Sequence, residues 1–116
     1  MQNKYIITTG DPNGIGPEII LKAAKKGYLK DCIVIGTEEV FNYYETILKT
    51  GAVWSTDLND KKSDFILHRI DCNINIEPGK CTSDGGLFSI TCLNKSIELL
   101  KNGFSTHLIT APLSKK

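Results

Sequence analysis

The feature that most constrains this chain is the stretch Ile6-Ile7-Thr8-Thr9-Gly10-Asp11-Pro12-Asn13-Gly14-Ile15-Gly16-Pro17-Glu18. A short β-prone run enters a turn with three glycines, and the turn feeds directly into an amphipathic segment. Pro17 suits the first helical position, where a missing N–H costs nothing and φ is already near helical. Gly16 serves as a tolerable N-cap, and Glu18 sets a negative charge in the first turn, where the helix dipole favours it. The helix start leaves backbone N–H groups without partners in one concave place, able to receive an anion or a polar substrate group. Two familiar loops are excluded. A dinucleotide loop needs a third glycine where this chain has Ile19, and a phosphate-binding P-loop would close on Gly-Lys-Ser/Thr. Glycine-rich turns between strand and helix also occur simply to let the chain bend sharply, so both readings stand.

The order of segments sets the architecture. Lys4 to Thr9 reads as a short apolar strand. Pro17 to Lys26 carries Ile19, Ile20, Ala23 and Ala24 as a helical stripe that stops at Gly27. Cys32 to Ile35 is a second buried strand ended by Gly36. Thr37 caps a helix with Val40, Phe41, Tyr44, Ile47 and Leu48 at three- and four-residue steps, terminating at Gly51. Ala52-Val53-Trp54 reads as a third short strand, Thr56 to Ser63 as a loop, and Phe65-Ile66-Leu67 as another strand. Asn73 to Lys80 alternates apolar and polar residues before Pro78-Gly79 turns the chain. Ser83 or Asp84 caps a long helix with Leu87, Ile90, Leu93, Ile97 and Leu100 on one stripe, closed by Gly103. His107-Leu108-Ile109 is a final strand. Such alternation predicts an α/β fold, a mainly parallel sheet flanked by helices, and the unbroken apolar strands indicate burial on both faces.

Ligands of such sheets gather beyond the carboxyl ends of the strands. The turn at Gly10 and the segment at Thr110 both leave the carboxyl end of a predicted strand, so two sequence-distant loops are expected to meet at one edge. The candidate cleft residues are Gly10, Asp11, Gly14, Ile15, Gly16, Thr110 and Lys115. The glycines permit the bend and a close backbone approach. Asp11 suits a turn because its side chain can bond the backbone two residues on. Lys115 offers a point charge for a phosphate or carboxylate, or is simply solvated at the terminus. No Ser/His/Asp arrangement and no acid/base pair of carboxylates is legible. His68 and His107 are expected to pack or to face outward, and Trp54, Tyr43 and Tyr44 to pack in the core.

Composition narrows the class. The chain has 116 residues, a formal net charge of +1, 41% hydrophobic and 23% charged residues, as in an ordinary globular domain. That charge argues against nucleic acid as the main partner. Lys22, Lys25, Lys26 and Lys30 read as a solvated helix face. No apolar run approaches the roughly 20 residues that cross a bilayer, and the N-terminus lacks a signal-peptide layout, so no membrane association and a cytoplasmic location are expected. Cys32, Cys72, Cys81 and Cys92 are widely spaced, without a Cys-x-x-Cys pair, and are expected as reduced structural thiols.

The wording Thr9-Gly10-Asp11-Pro12-Asn13-Gly14-Ile15-Gly16-Pro17-Glu18 resembles the N-terminal signature of the 4-hydroxythreonine-4-phosphate dehydrogenase family of pyridoxal phosphate biosynthesis. Leu108-Ile109-Thr110-Ala111-Pro112-Leu113-Ser114-Lys115 is similar to that family's Thr-Ala-Pro-(Ile/Leu)-x-Lys segment. Pro78-Gly79-Lys80, Gly86 and Gly103 also follow the family's layout. The resemblance implies an isocitrate/isopropylmalate dehydrogenase-like fold and oxidation of 4-phosphooxy-L-threonine by NAD (or NADP), with subsequent decarboxylation. It also implies a divalent metal (zinc, magnesium or cobalt) and a homodimer with its cleft between two α/β domains. The family's metal-binding histidines and its substrate-binding His-Thr pair come later than any residue here. Residues 1–116 therefore correspond to an incomplete first domain with no metal ligand and no catalytic residue of its own, expected to be inactive alone. The kindred readings are a dehydrogenase of another four-carbon hydroxy-acid phosphate, such as a threonate or erythronate phosphate, and a non-catalytic fragment with weak anion or nucleotide binding. The isocitrate and isopropylmalate enzymes open on a similar Gly-Asp-Gly-Ile-Gly-Pro-Glu, but the inserted Pro12-Asn13 favours the first family.

Overall fold

The computed structural model describes residues 5–103 and 107–110. Five strands and three helices alternate as expected. They are β1 (Tyr5–Thr8), α1 (Gly16–Lys25), β2 (Cys32–Gly36), α2 (Glu38–Leu48), β3 (Trp54–Ser55), β4 (Phe65–Arg69), α3 (Ser83–Lys101) and β5 (Leu108–Thr110). The strands form one sheet in the order β3-β4-β2-β1-β5, and every neighbouring pair is parallel. Without the two-residue β3, the order is that of a mononucleotide-binding half of a doubly wound sheet, with the chain stepping one way from β1 and then returning to the far side of it. Parallel connections must cross over, and right-handed crossovers put α1 and α2 on one face and α3 on the other. In keeping with this, α1 packs on α2 while α3 lies against β1, β2 and β5.

The core is built on the central strands. Ile33, Val34 and Ile35 of β2 and Phe65, Ile66 and Leu67 of β4 are all buried, meeting Leu21 and Ala24 of α1, Val40 and Phe41 of α2, and Phe88 and Cys92 of α3. Phe41, Trp54 and Phe65 form an aromatic cluster with ring centroids 5.4–5.9 Å apart. No helix among the described residues is long and apolar enough to cross a membrane.

Several boundaries differ from the sequence reading. Ile15, not Gly16, occupies the N-cap of α1, and no side chain caps it. Helix α2 stops at Leu48 because Lys49 turns left-handed at φ 53°, two residues before Gly51. The third strand is Trp54–Ser55, not Ala52 to Trp54, and residues 70–80 form no strand despite their alternation. Thr82 caps α3 in place of Ser83 or Asp84, its hydroxyl accepting from the Gly85 N–H at 3.0 Å.

The largest correction concerns which side of α3 is buried. Leu87, Ile90 and Ile97 are 60%, 58% and 38% exposed, whereas Gly85, Phe88, Cys92 and Ser96 are buried. Small residues on the inner side let the helix axis come close to the sheet. The Cys92 thiol reaches the Ile35 carbonyl at 3.5 Å and the Ser96 hydroxyl bonds back to the Cys92 carbonyl at 2.8 Å, so the inner polar atoms are satisfied. Ile19 of α1 and Ile47 of α2 likewise face outward.

Candidate functional site

The glycine turn leaves the carboxyl end of β1 and is anchored from several directions. Thr9 is fully buried, and both its N–H and its hydroxyl donate to the Ile35 carbonyl, at 3.2 and 2.6 Å. Gly10 then turns the chain with φ 76°, a value that favours glycine. Asp11, 5% exposed, accepts the Asn13 N–H on its Oδ1 at 2.9 Å, and its carbonyl accepts the Gly14 N–H at 3.0 Å. This is the local turn chemistry expected of an aspartate. The Tyr44 hydroxyl of α2 donates to the Pro12 carbonyl at 2.5 Å. Burial, and then the neighbouring Tyr43, Asp11 and Glu18, push the Tyr44 phenol up to about 12, so it stays protonated and keeps donating.

Asn13 is the residue that sequence reasoning missed. Its Oδ1 accepts the Glu77 N–H at 2.7 Å, its Nδ2 donates to the Thr82 hydroxyl at 3.2 Å, and its carbonyl accepts the Gly79 N–H at 2.7 Å. One buried amide thus ties the glycine turn to residues 77–82, which cross above the carboxyl edge, and to the start of α3. The close fit continues at Gly85, where an added Cβ would stand 2.9 Å from Asp11 Oδ1 and 3.1 Å from both Asn13 Nδ2 and the Thr82 hydroxyl. No local signal pointed to Asn13, because its side-chain partners lie 64 and 69 residues away in the sequence.

Beyond Asn13 the turn opens. Gly14 is half-buried, Ile15 is 59% exposed, and Gly16 begins α1. The first helical bond runs from the Ile19 N–H to the Ile15 carbonyl at 3.0 Å, and among the described residues no acceptor meets the N–H of Ile15 or Gly16. Glu18 is drawn to Lys22 at 2.7 Å, on the outer side of the helix.

The second segment ends beside this opening. Strand β5 pairs with β1 in parallel register, and Thr110 stands opposite Thr8. Thr8 and Thr110 therefore end their strands at the same edge, with Thr110 exposed there. Lys115 lies outside the described residues. Among the described residues, no three His, Cys, Asp or Glu side chains are placed to hold a metal ion. A cavity of about 190 Å³ lies farther along this edge, where Glu38, Glu39 and Asp71 outnumber Arg69. Its excess of carboxylates makes it a poor anion site.

No protein-family profile matches the chain. Among curated proteins, 4-hydroxythreonine-4-phosphate dehydrogenase of Zymomonas mobilis is 34% identical over 116 residues, which cover 94% of this chain and 34% of that protein. D-threonate 4-phosphate dehydrogenase of Pectobacterium atrosepticum is 30% identical over 129 residues, covering all of this chain and 39% of that protein. Among solved structures, 4-hydroxythreonine-4-phosphate dehydrogenase from Klebsiella pneumoniae superposes with a TM-score of 0.84 at 25% identity, over 99% of this chain and 38% of that one. The chain spans about a third of the length of the curated relatives it matches.

Proposed function

Because the chain belongs to the 4-hydroxythreonine-4-phosphate dehydrogenase family, we propose that it forms one wall of the cleft in which such a dehydrogenase oxidises 4-phosphooxy-L-threonine. The observation that carries this reading is the β1–β5 register, with Thr8 opposite Thr110. It sets the glycine turn and the Thr110 segment on one rim, at the crevice where ligands of doubly wound sheets gather.

The roles follow from the chemistry of that rim. The N–H groups of Ile15 and Gly16, at the positive end of α1, receive a phosphate or carboxylate oxygen of the substrate. Gly14 and Gly16 keep side chains out of its approach, and Gly10 and Asp11 set the curvature of the turn. The Thr110 hydroxyl binds from the end of β5, and Lys115 is assigned the role of a point charge for the same anionic group. Ile19, 49% exposed on α1, stands where a dinucleotide loop has its third glycine. The turn therefore suits a single anionic group better than a pyrophosphate lying along the helix. NAD or NADP supplies the hydride acceptor of this reaction. The nucleotide is assigned to the remainder of a two-domain, homodimeric enzyme, together with a divalent metal. On this reading the 116-residue chain alone is inactive. The place of the reaction is the cytoplasmic synthesis of pyridoxal phosphate.

A second reading has its own support, since a D-threonate 4-phosphate dehydrogenase is nearly as similar as the first relative. The experiment replaces the matching third of the Zymomonas mobilis enzyme by this chain and follows NADH formation with a divalent metal present. 4-Phosphooxy-L-threonine and D-threonate 4-phosphate are supplied in parallel. Turnover of the first is expected, preference for the second selects the alternative, and turnover of neither sinks both. NADH production by the isolated chain would refute its assigned inactivity.

A further inference from the structure

The edge of the sheet opposite the glycine turn holds a second cavity. Strands β2 and β4 run parallel with Ile33 opposite Ile66, so residues 30–31 and 60–63, which precede them, meet at the amino edge. The cavity between them measures about 260 Å³ and has Phe65 and Ile66 on its apolar side. Its charged wall is balanced, with Lys30 and Lys61 against Asp31 and Asp60. Part of that charge already serves the fold. Asp60 Oδ1 accepts the Lys62 and Ser63 N–H groups at 2.7 and 3.1 Å. The Lys30 ammonium donates to the Ser63 carbonyl at 3.2 Å and faces Asp64 at 3.5 Å. Lys61 and Asp31 have no ion pair among the described residues.

The decisive group is Ser63. It is 7% exposed and lines the cavity. Its Oγ is the one buried side-chain polar atom without a hydrogen-bond partner among the described residues. Such a group costs stability until something bonds it. The backbone of Ser63 is held on both sides, its N–H by Asp60 and its carbonyl by Lys30, so the hydroxyl is fixed in place. Charge and size then select the guest. An inorganic phosphate would gain two ammonium groups but face two carboxylates, and a metal ion would meet the reverse. A neutral polyol would satisfy the hydroxyl and leave Lys61 and Asp31 unpaired. A zwitterion uses all three groups. The volume lies below the roughly 300–1,000 Å³ of sites for drug-sized ligands and well above the ~30 Å³ of one water, which suits a small metabolite and excludes a nucleotide. We propose that this cavity binds a small α-amino acid. Its carboxylate accepts from the Ser63 hydroxyl and the Lys61 ammonium, and its own ammonium donates to Asp31. The site is remote from the rim at Gly14 and does not rest on the family reading.

The test is an amide chemical-shift titration of the chain with L-alanine, propionate, ethylamine, glycerol and inorganic phosphate as separate probes. The Lys62 and Ser63 N–H groups, both bonded to Asp60, are the reporters. L-Alanine is expected to shift them saturably. Propionate and ethylamine each lack one charge and are expected to bind about tenfold more weakly. Propionate or phosphate binding as well as L-alanine overturns the proposal in favour of an anion site, and glycerol doing so overturns it in favour of a polyol site. Shifts confined to the Ile15 and Gly16 amides put the probe at the other edge and overturn it too. No shift with any probe refutes it outright and leaves Ser63 to water. Ser63→Ala loses no bond in the free chain, so its thermal midpoint is expected to hold while L-alanine binds about tenfold more weakly. A lowered midpoint would show that the hydroxyl already has a partner, and the assignment fails. Lys61→Gln and Asp31→Asn alter exposed charges and are expected to weaken binding about threefold each. Unchanged affinity in both refutes recognition of a zwitterion.

Discussion

Helices α1 and α3 both start at the carboxyl edge of the sheet, yet they are finished in opposite ways. Helix α1 has no side-chain cap, and the N–H groups of Ile15 and Gly16 remain without acceptors among the described residues. Its sheet side is closed, with Ile20, Leu21 and Ala24 buried, while Lys22, Lys25 and Lys26 stand in solvent and Ile19 is half exposed. Helix α3 has its start consumed by the fold, through the Thr82 cap and the bond from Asn13, while its flank is left apolar and open. The difference separates two uses of a helix. An end left unsatisfied beside a rim is available to a ligand, whereas a start closed by its own preceding loop is not.

The sharpest way to break this comparison is to truncate the two apolar sides of α3 in turn. Phe88 is fully buried against the sheet. Phe88→Ala is expected to cost about 3–5 kcal/mol through lost burial and a cavity. Ile90→Ala on the exposed side should fall within about 0.5 kcal/mol of the parent. Urea denaturation monitored by circular dichroism measures both. Comparable losses would mean that the outer stripe is already covered, and the contrast between the helices would vanish.

A smaller effect tests the knot at the start of α3. Asn13→Ala leaves the Glu77 N–H and the Thr82 hydroxyl without their partner, at an expected cost of about 1–3 kcal/mol. Thr82→Ala, which loses the cap itself, should cost about 1 kcal/mol, and Thr82→Ser should restore it. The two residues share a hydrogen bond, so the double variant should lose less than the sum of the single ones. Strict additivity would show that Asn13 and the α3 cap act independently.

What was legible in the sequence was the local part of this picture. Strand β2 and helices α1 and α2 follow from short-range signals: a run of Ile33-Val34-Ile35, a proline at a helix start, a threonine cap. The placement of Thr110 at the same edge as the end of β1 was also expected, because each ends a strand and parallel strands share a direction. The role of Asn13 was not legible, since its partners lie 64 and 69 positions away and are brought close only by the path of residues 70–82. Nor could periodicity choose the inner side of α3. It finds the larger apolar stripe, but the sheet selects the stripe with Gly85, Cys92 and Ser96, whose small side chains allow close packing. Leu87, Ile90 and Ile97, which read as a core stripe, stand at the surface instead.

The faintest expected effect reports on the charged flank of α3 through His68. This imidazole of β4 is half-buried, and burial first, then the Lys95 ammonium of α3, hold its pKa below the ordinary histidine value, with Glu98 opposing them. In the unfolded chain the same imidazole takes its proton near pH 6.5. Between the two values the unfolded state binds more protons, so stability rises with pH there. The contribution is fully present above the unfolded value and is lost as the pH falls through it towards the folded one. Denaturation midpoints measured from pH 8 down to pH 5 should therefore decline more for the parent than for His68→Gln. Lys95→Gln should flatten the decline in part, because only the repulsion is removed and the burial remains. If His68→Gln leaves the profile unchanged, burial and the Lys95 ammonium do not hold this imidazole's pKa down, and α3 is not coupled to the end of β4.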